Sequence, residues 1–233
     1  MPSPAPRNRY CRRSHLSEAK FRQVVRLFAL DLMATDAAEL TGLTRKTVTG
    51  LYLRLRRRLA EAGARDAPWT PGEVEVDEAY FGARRVRGKP GRGAGGKTPV
   101  VGLKKRDGRV YAEVVPDCSK AALQKVIRGR VPVESVIHTD AWGGYDGLVD
   151  VGYAKHYRVR HGAGEYARAE AGTTAHVNGI ESFWAFAKHR LARFRGVAPH
   201  TFHLHLKECE WRFNTPRAAR YRALLDLLSE YPL

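Results

Sequence analysis

The chain has 233 residues, and its 41 Lys and Arg against 24 Asp and Glu leave a net charge of +17. So large an excess argues against a merely solvated basic surface and implies a polyanionic partner bound in a steeply salt-dependent way. Cys11, Cys118 and Cys209 form no Cys-x-x-Cys pair, which excludes a disulfide framework or zinc ribbon, and no run suits a signal core or membrane span, so a soluble cytoplasmic protein without a membrane partner is expected.

After a Pro- and Arg-rich arm, Ser17 precedes Glu18 as an N-cap, and Phe21, Val24, Val25, Phe28 and Leu32 recur at helical spacing. A second short helix is expected from about Asp36 to Leu40, with Gly42 at the turn. Thr44 can cap a third, which carries Val48, Leu51 and Leu55 inward. Ala38, Gly42 and Val48 are the small, turn and apolar positions of a helix-turn-helix, since Gly42 permits a positive φ and Ala38 a close helix approach. Arg45, Lys46 and Thr47 then stand at the exposed start of the third helix, suited to phosphates and base edges in a major groove. Arg54, Arg56, Arg57 and Arg58 continue the basic run. Solvated arginines on a small helical bundle are the plainer reading, but 14 basic against 6 acidic side chains through residue 70 favour DNA. Residues 1–66 are therefore expected to form a basic arm and helix-turn-helix DNA-binding domain, followed by a linker from Ala64 to Gly72 that two prolines and a glycine keep irregular.

From residue 73 the period becomes strand-like. Strands are expected at about 73–81, 98–106 and 108–116, the last two joined near Asp107-Gly108. A helix capped by Ser119 follows to about Gly129, then a strand at 134–140 and, later, a long helix from Asn178 to Phe194. This order predicts an α/β fold with a ribonuclease H-like mixed sheet, whose first and fourth strands lie side by side. Asp77 in the first strand and Asp140 at the end of the fourth would then be neighbours. A strand-end Asp is more often a turn-former, and a helical Glu such as Glu181 more often solvated, but here all three sit at matched positions. They can converge on one sheet edge and hold two Mg²⁺ ions, or Mn²⁺ in their place, that clamp the attacking and leaving oxygens of a phosphodiester. Glu75 and Glu78 are read as supporting acids, and Asp146 as a turn cap. Between the first two strands, Gly82 to Pro99 holds six glycines, six basic residues and no acid. Its Arg84, Arg85 and Arg87 are expected to order on a DNA backbone.

On the long helix, Ile180, Phe183, Trp184, Ala187 and Leu191 make an apolar stripe, with Trp184 read as simple packing. Asn178, Glu181, Ala185 and Lys188 fall on an adjoining stripe. Lys188 lies almost two turns beyond Glu181, so it points the same way and is expected to hold a terminal phosphate as a point charge.

Four stretches together, Val76 to Gly82, His138 to Tyr145, His176 to Lys188 and Glu210 to Asn214, resemble the ISXO2-like group of bacterial insertion-sequence transposases over about residues 73–217. The resemblance implies a magnesium-dependent DDE-type transposase with a ribonuclease H-like fold. Such an enzyme nicks the ends of its own element, and the freed 3′ hydroxyl attacks target DNA. The group varies at the third catalytic position, so Asn178 stands beside Glu181 as a candidate, and His176 is a candidate contact of the scissile phosphate. Many relatives begin with a zinc ribbon that Cys11 alone cannot build, which leaves terminal recognition to the helix-turn-helix. The implied partners are double-stranded DNA, as terminal repeats and target, and further copies of the chain in a homodimer or larger synaptic assembly. The expected setting is the bacterial cytoplasm, at the nucleoid. Residues 218–233 are expected to form a helical tail. Two rival readings are a ribonuclease H-like nuclease that cuts without joining and a non-catalytic helix-turn-helix regulator. Gathered acids argue against the regulator, because uncompensated carboxylates repel DNA.

Overall fold

The computed structural model describes residues 8–65, 69–82, 96–106, 108–140, 152–153, 155–159, 169–170, 173–174 and 177–233. Arg84, Arg85, Arg87, Asp107, Asp146 and His176 lie outside the described residues. The chain divides into two units: the described residues up to Arg65 together with Asn214–Leu233, and the described residues of 66–213.

In the first unit, α1 (Glu18–Ala29) begins where the Ser17 hydroxyl accepts from the Lys20 N–H, and it buries Phe21, Val24, Val25 and Phe28. The next helix, α2 (Ala34–Thr41), is slightly longer than its periodicity predicts. It ends at Gly42, whose φ of 66° is a left-handed cap that a side chain would strain. Thr44 Oγ1 accepts from Thr47 N at 3.1 Å and opens α3 (Arg45–Arg65), which buries Val48, Leu51, Tyr52, Leu55 and Leu59. Arg56 does not continue a surface run as expected. It is buried, with its guanidinium 5.8 Å from the Phe28 ring and 5.9 Å from that of Tyr52. The C-terminal helix α7 (Arg220–Glu230) packs on α1 and belongs to this unit instead of forming a tail of its own. Leu233 N donates to Tyr10 O, and Arg12 N to Leu233 O, each at 2.8 Å. Periodicity reveals the apolar stripe of Leu224, Leu225 and Leu228, but not the distant surface that the stripe covers.

The second unit is a mixed sheet of β1 (Glu73–Phe81), β2 (Thr98–Lys105), β3 (Val110–Val114), β4 (Val136–Asp140) and β5 (Lys155–Val159). Its order is β3-β2-β1-β4-β5, with β1–β2 and β2–β3 antiparallel and β1–β4 and β4–β5 parallel, which is the ribonuclease H-like order. A separate pair, β6 (Ala169–Glu170) and β7 (Thr173–Thr174), follows. One face of the sheet carries α4 (Lys120–Arg128), whose Leu123, Val126 and Ile127 meet Val74, Val76, Val101, Leu103 and Ile137. Against the other lie α5 (Asn178–Ala192) and α6 (Pro199–Asn214), where Ile180, Phe183, Trp184 and Leu206 meet Ala79, Phe81, Val100 and Ala112. Helices on both faces explain why β1 buries residues of both parities instead of alternating.

Buried charges fasten α6 in place. Glu208 Oε1 accepts from Arg190 Nη2 of α5 at 2.5 Å and from Arg212 at 2.8 Å, all three side chains being buried. Glu210 Oε2 accepts from the Ala112 N–H of β3 and from Lys207 Nζ, both at 2.8 Å. The stretch from Glu210 to Asn214 therefore works partly as a clasp, because these charges would be costly to bury alone.

Candidate active site

The parallel register of β1 and β4 runs through Val74↔Ile137 and Glu75↔His138 to Val76↔Thr139. One residue further stand Asp77, in the middle of β1, and Asp140, the last residue of β4, side by side. Glu78 completes the group: one carboxylate oxygen from each of Asp77, Glu78 and Asp140 lies within 4.8 Å of the others. Gathering these acids has an electrostatic consequence. Burial, then the charges of Glu78 and Asp140, push the Asp77 carboxyl up from 3.8 to about 6, against opposing hydrogen bonds from the Glu78 backbone and Trp184. An all-oxygen donor set whose members repel one another fits a hard divalent cation.

The sequence-predicted acids are thus brought together in part. Asp77 and Asp140 meet as expected, while Glu181 is exposed on α5 and outside the group of three. Asn178 is the first residue of α5 and is also exposed. Lys188 stands with its Nζ 6.0 Å from the centre of the Phe81 ring, towards the far end of β1 from Glu75. Glu78, ranked only as supporting, is the third member of the cluster and is buried. Its neighbour in sequence is the sole hint that periodicity offers, because the two side chains leave the strand on opposite faces.

Two contacts escape sequence reading altogether. Trp184 does more than pack: its Nε1 donates to Asp77 Oδ2 at 3.0 Å. Glu75, buried on the same strand face as Asp77, accepts the Ile180 N–H at the start of α5, at 2.9 Å. A carboxylate at that helix end is favoured both by the open N–H groups and by the helix dipole.

In the other unit, Arg45, Lys46 and Thr47 are exposed on the first turn of α3. Arg54 is half-buried and donates to Cys11 Sγ at 3.3 Å. Among the described residues no helix is long and apolar enough to cross a membrane.

Residues 70–214 match the ISXO2-like transposase domain. The chain is also similar to an uncharacterized transposase-like protein of Haemophilus influenzae, 40% identical over 120 residues that span 52% of this chain and 93% of that protein. Among solved structures, a Mos1 transposase paired-end complex with left transposon end aligns over 93% of this chain and 77% of its own, with 13% identity and a TM-score of 0.38. A pre-cleavage Mos1 transpososome aligns over 92% and 76%, with 12% identity and a TM-score of 0.37; both likenesses are too distant to bear on function. With the domain match covering more than half its length, the chain belongs to the ISXO2-like transposase family.

Proposed function

We propose that this transposase cuts the ends of its own insertion sequence and joins the freed 3′ ends to target DNA. One observation carries the reading: in a chain of this family, Asp77 and Glu78 of β1 meet Asp140 at the end of the adjoining β4. Asp77 and Asp140 would hold two Mg²⁺ ions, Mn²⁺ being able to replace them, with a further ligand from α5, Glu181 or in its place Asn178. When bound, such ions favour ionisation of the attacking hydroxyl and stabilise charge on the leaving oxygen. The side chains do the rest. Lys188 would hold the terminal phosphate as a compact point charge.

Helices α2 and α3, joined at Gly42, would act as a helix-turn-helix, with Arg45, Lys46 and Thr47 entering the major groove of the terminal repeat. Arg54, engaged with Cys11, would add to the phosphate contacts from the groove's edge. Arg84, Arg85 and Arg87 would close on the DNA backbone. The net charge of +17 supports all these contacts and makes them salt-sensitive. Joining needs two element ends together, so the working form would be a dimer or larger assembly on DNA, in the bacterial cytoplasm at the nucleoid.

The test is a strand-transfer assay with purified protein, Mg²⁺ and labelled element ends. Joined products are expected from the wild type and none from Asp77→Ala or Asp140→Ala, although both variants should still retard the DNA. Loss in Glu181→Ala with retention in Asn178→Ala would assign the α5 ligand to Glu181, and the reverse to Asn178. Cleaved ends without joining would select a nuclease. Retarded DNA with neither product from the wild type would leave a regulator.

A further inference from the structure

Helix α5 is tied to strand β1 at two points of matching pitch. Glu75 and Asp77 are two residues apart on one face of the strand, about 6.6 Å along it. Ile180 and Trp184 are four apart on the helix, about 6 Å along its axis. Glu75 therefore receives the Ile180 N–H at 2.9 Å while Asp77 receives the Trp184 indole N–H at 3.0 Å. Two glycines make the approach sterically open. A Cβ at Gly179 would come 2.8 Å from Glu75 Oε2. Gly102, the β2 partner of Asp77 in the sheet register, would place a Cβ 2.4 Å from the Trp184 ring and 2.7 Å from Ile180 Cδ1. Backbone on two elements is thus shaped around this indole. Trp184 is only 5% exposed, so its N–H needs a protein acceptor, and the acceptor is a carboxylate of the candidate metal centre.

We propose that Trp184 is a positioning residue of that centre, holding the Asp77 carboxylate in the orientation that meets Asp140 and Glu78. One Asp77 oxygen is committed to the indole, which stops the carboxylate from rotating and prepares the other oxygen for a cation. The inference rests on the reading of Asp77 as a metal ligand. It differs from a packing role in one respect: the N–H matters, and not only the ring.

The decisive experiment replaces Trp184 by β-benzothienylalanine in the full-length protein, which keeps the ring's shape and removes the donor. Mn²⁺ binding is measured by calorimetry and the melting midpoint of the metal-free protein by circular dichroism, with Trp184→Phe as a second variant. The benzothienyl protein should melt close to the wild type yet bind Mn²⁺ about 10-fold more weakly, as expected when a hydrogen bond behind a metal ligand is lost. Trp184→Phe should weaken Mn²⁺ binding to a similar degree, with some added loss of stability. Wild-type Mn²⁺ affinity in the benzothienyl protein would overturn the inference and leave Trp184 a packing residue, with Asp77 still a ligand. If Asp77→Ala bound Mn²⁺ as the wild type does, both the inference and the reading beneath it would fall.

Discussion

Two groups of acids in the same unit are treated in opposite ways. At the α5–α6 packing, Glu208 sits between Arg190 and Arg212, and Glu210 receives Lys207 and a backbone N–H. Where β1 passes the end of β4, Asp77, Glu78 and Asp140 come together, and burial, then the charges of Glu78 and Asp140, drives Asp77 up to about 6. Glu75, one strand step from Asp77 on the same face, belongs with the first group: it is spent on the α5 N-terminus. The first group is built around basic or N–H partners, whereas Asp77, although it accepts the Trp184 N–H, stands buried beside two further acids whose charges add to the cost of its ionisation.

The largest expected effect is on the structural side. Glu208→Ala leaves two buried guanidinium groups without their shared acid and should cost about 3–5 kcal/mol. In a unit of this size the melting midpoint would fall by roughly 10 °C, read by thermal denaturation. A fall of only a degree or two would mean that water or other groups take over, and the contrast would weaken.

Asp77→Asn should act in the opposite direction. In the metal-free protein the folded carboxyl near 6 lies above its ordinary 3.8, so the folded state keeps a proton that the unfolded chain has lost. Wild-type stability should therefore decline as pH rises from about 4 to about 6, and the penalty should persist above that window. Removing the charge should stabilise the metal-free protein by on the order of 2 kcal/mol near neutral pH, and by nothing below about pH 3.5, as denaturant titrations at the two pH values would read. A destabilised Asp77→Asn near neutral pH would contradict the assignment of Asp77 to the functional group.

Much of this contrast is invisible along the chain. The expected helices and strands form close to their predicted bounds because apolar period, caps such as Ser17 and Ser119 and the turn at Gly42 act locally. The meeting of Asp77 and Asp140 was legible because the strand order alone makes β1 and β4 neighbours. Glu208 looks like any helical Glu until Arg190 arrives from another helix, and Trp184 looks like one more member of an apolar stripe until register sets Gly102 beneath it. Glu78 leaves the strand opposite to Asp77 by parity, so its place in the group of three is seen only in the folded chain. Arg56 and α7 carry the same lesson in the other unit, where tertiary pairing, not period, decides what a surface covers.

The smallest effect sharpens the boundary between the two groups. Glu75→Gln keeps an oxygen for the Ile180 N–H and should cost about 1 kcal/mol, with metal affinity little changed, as parallel melting and calorimetry would record. A loss of metal binding as large as that of Asp77→Ala would move Glu75 into the functional group.

The central claim is that Asp77 and Glu78 of β1 and Asp140 at the end of β4 are gathered for a divalent cation, and metal-dependent stabilisation tests it most directly. Melting of the wild type and of an Asp77→Asn/Asp140→Asn variant is followed near neutral pH with and without Mg²⁺. At about 100 times its dissociation constant, Mg²⁺ should stabilise the wild type by about 2.7 kcal/mol and leave the variant's midpoint where it was. An equal rise in both proteins, or none in the wild type, would contradict it.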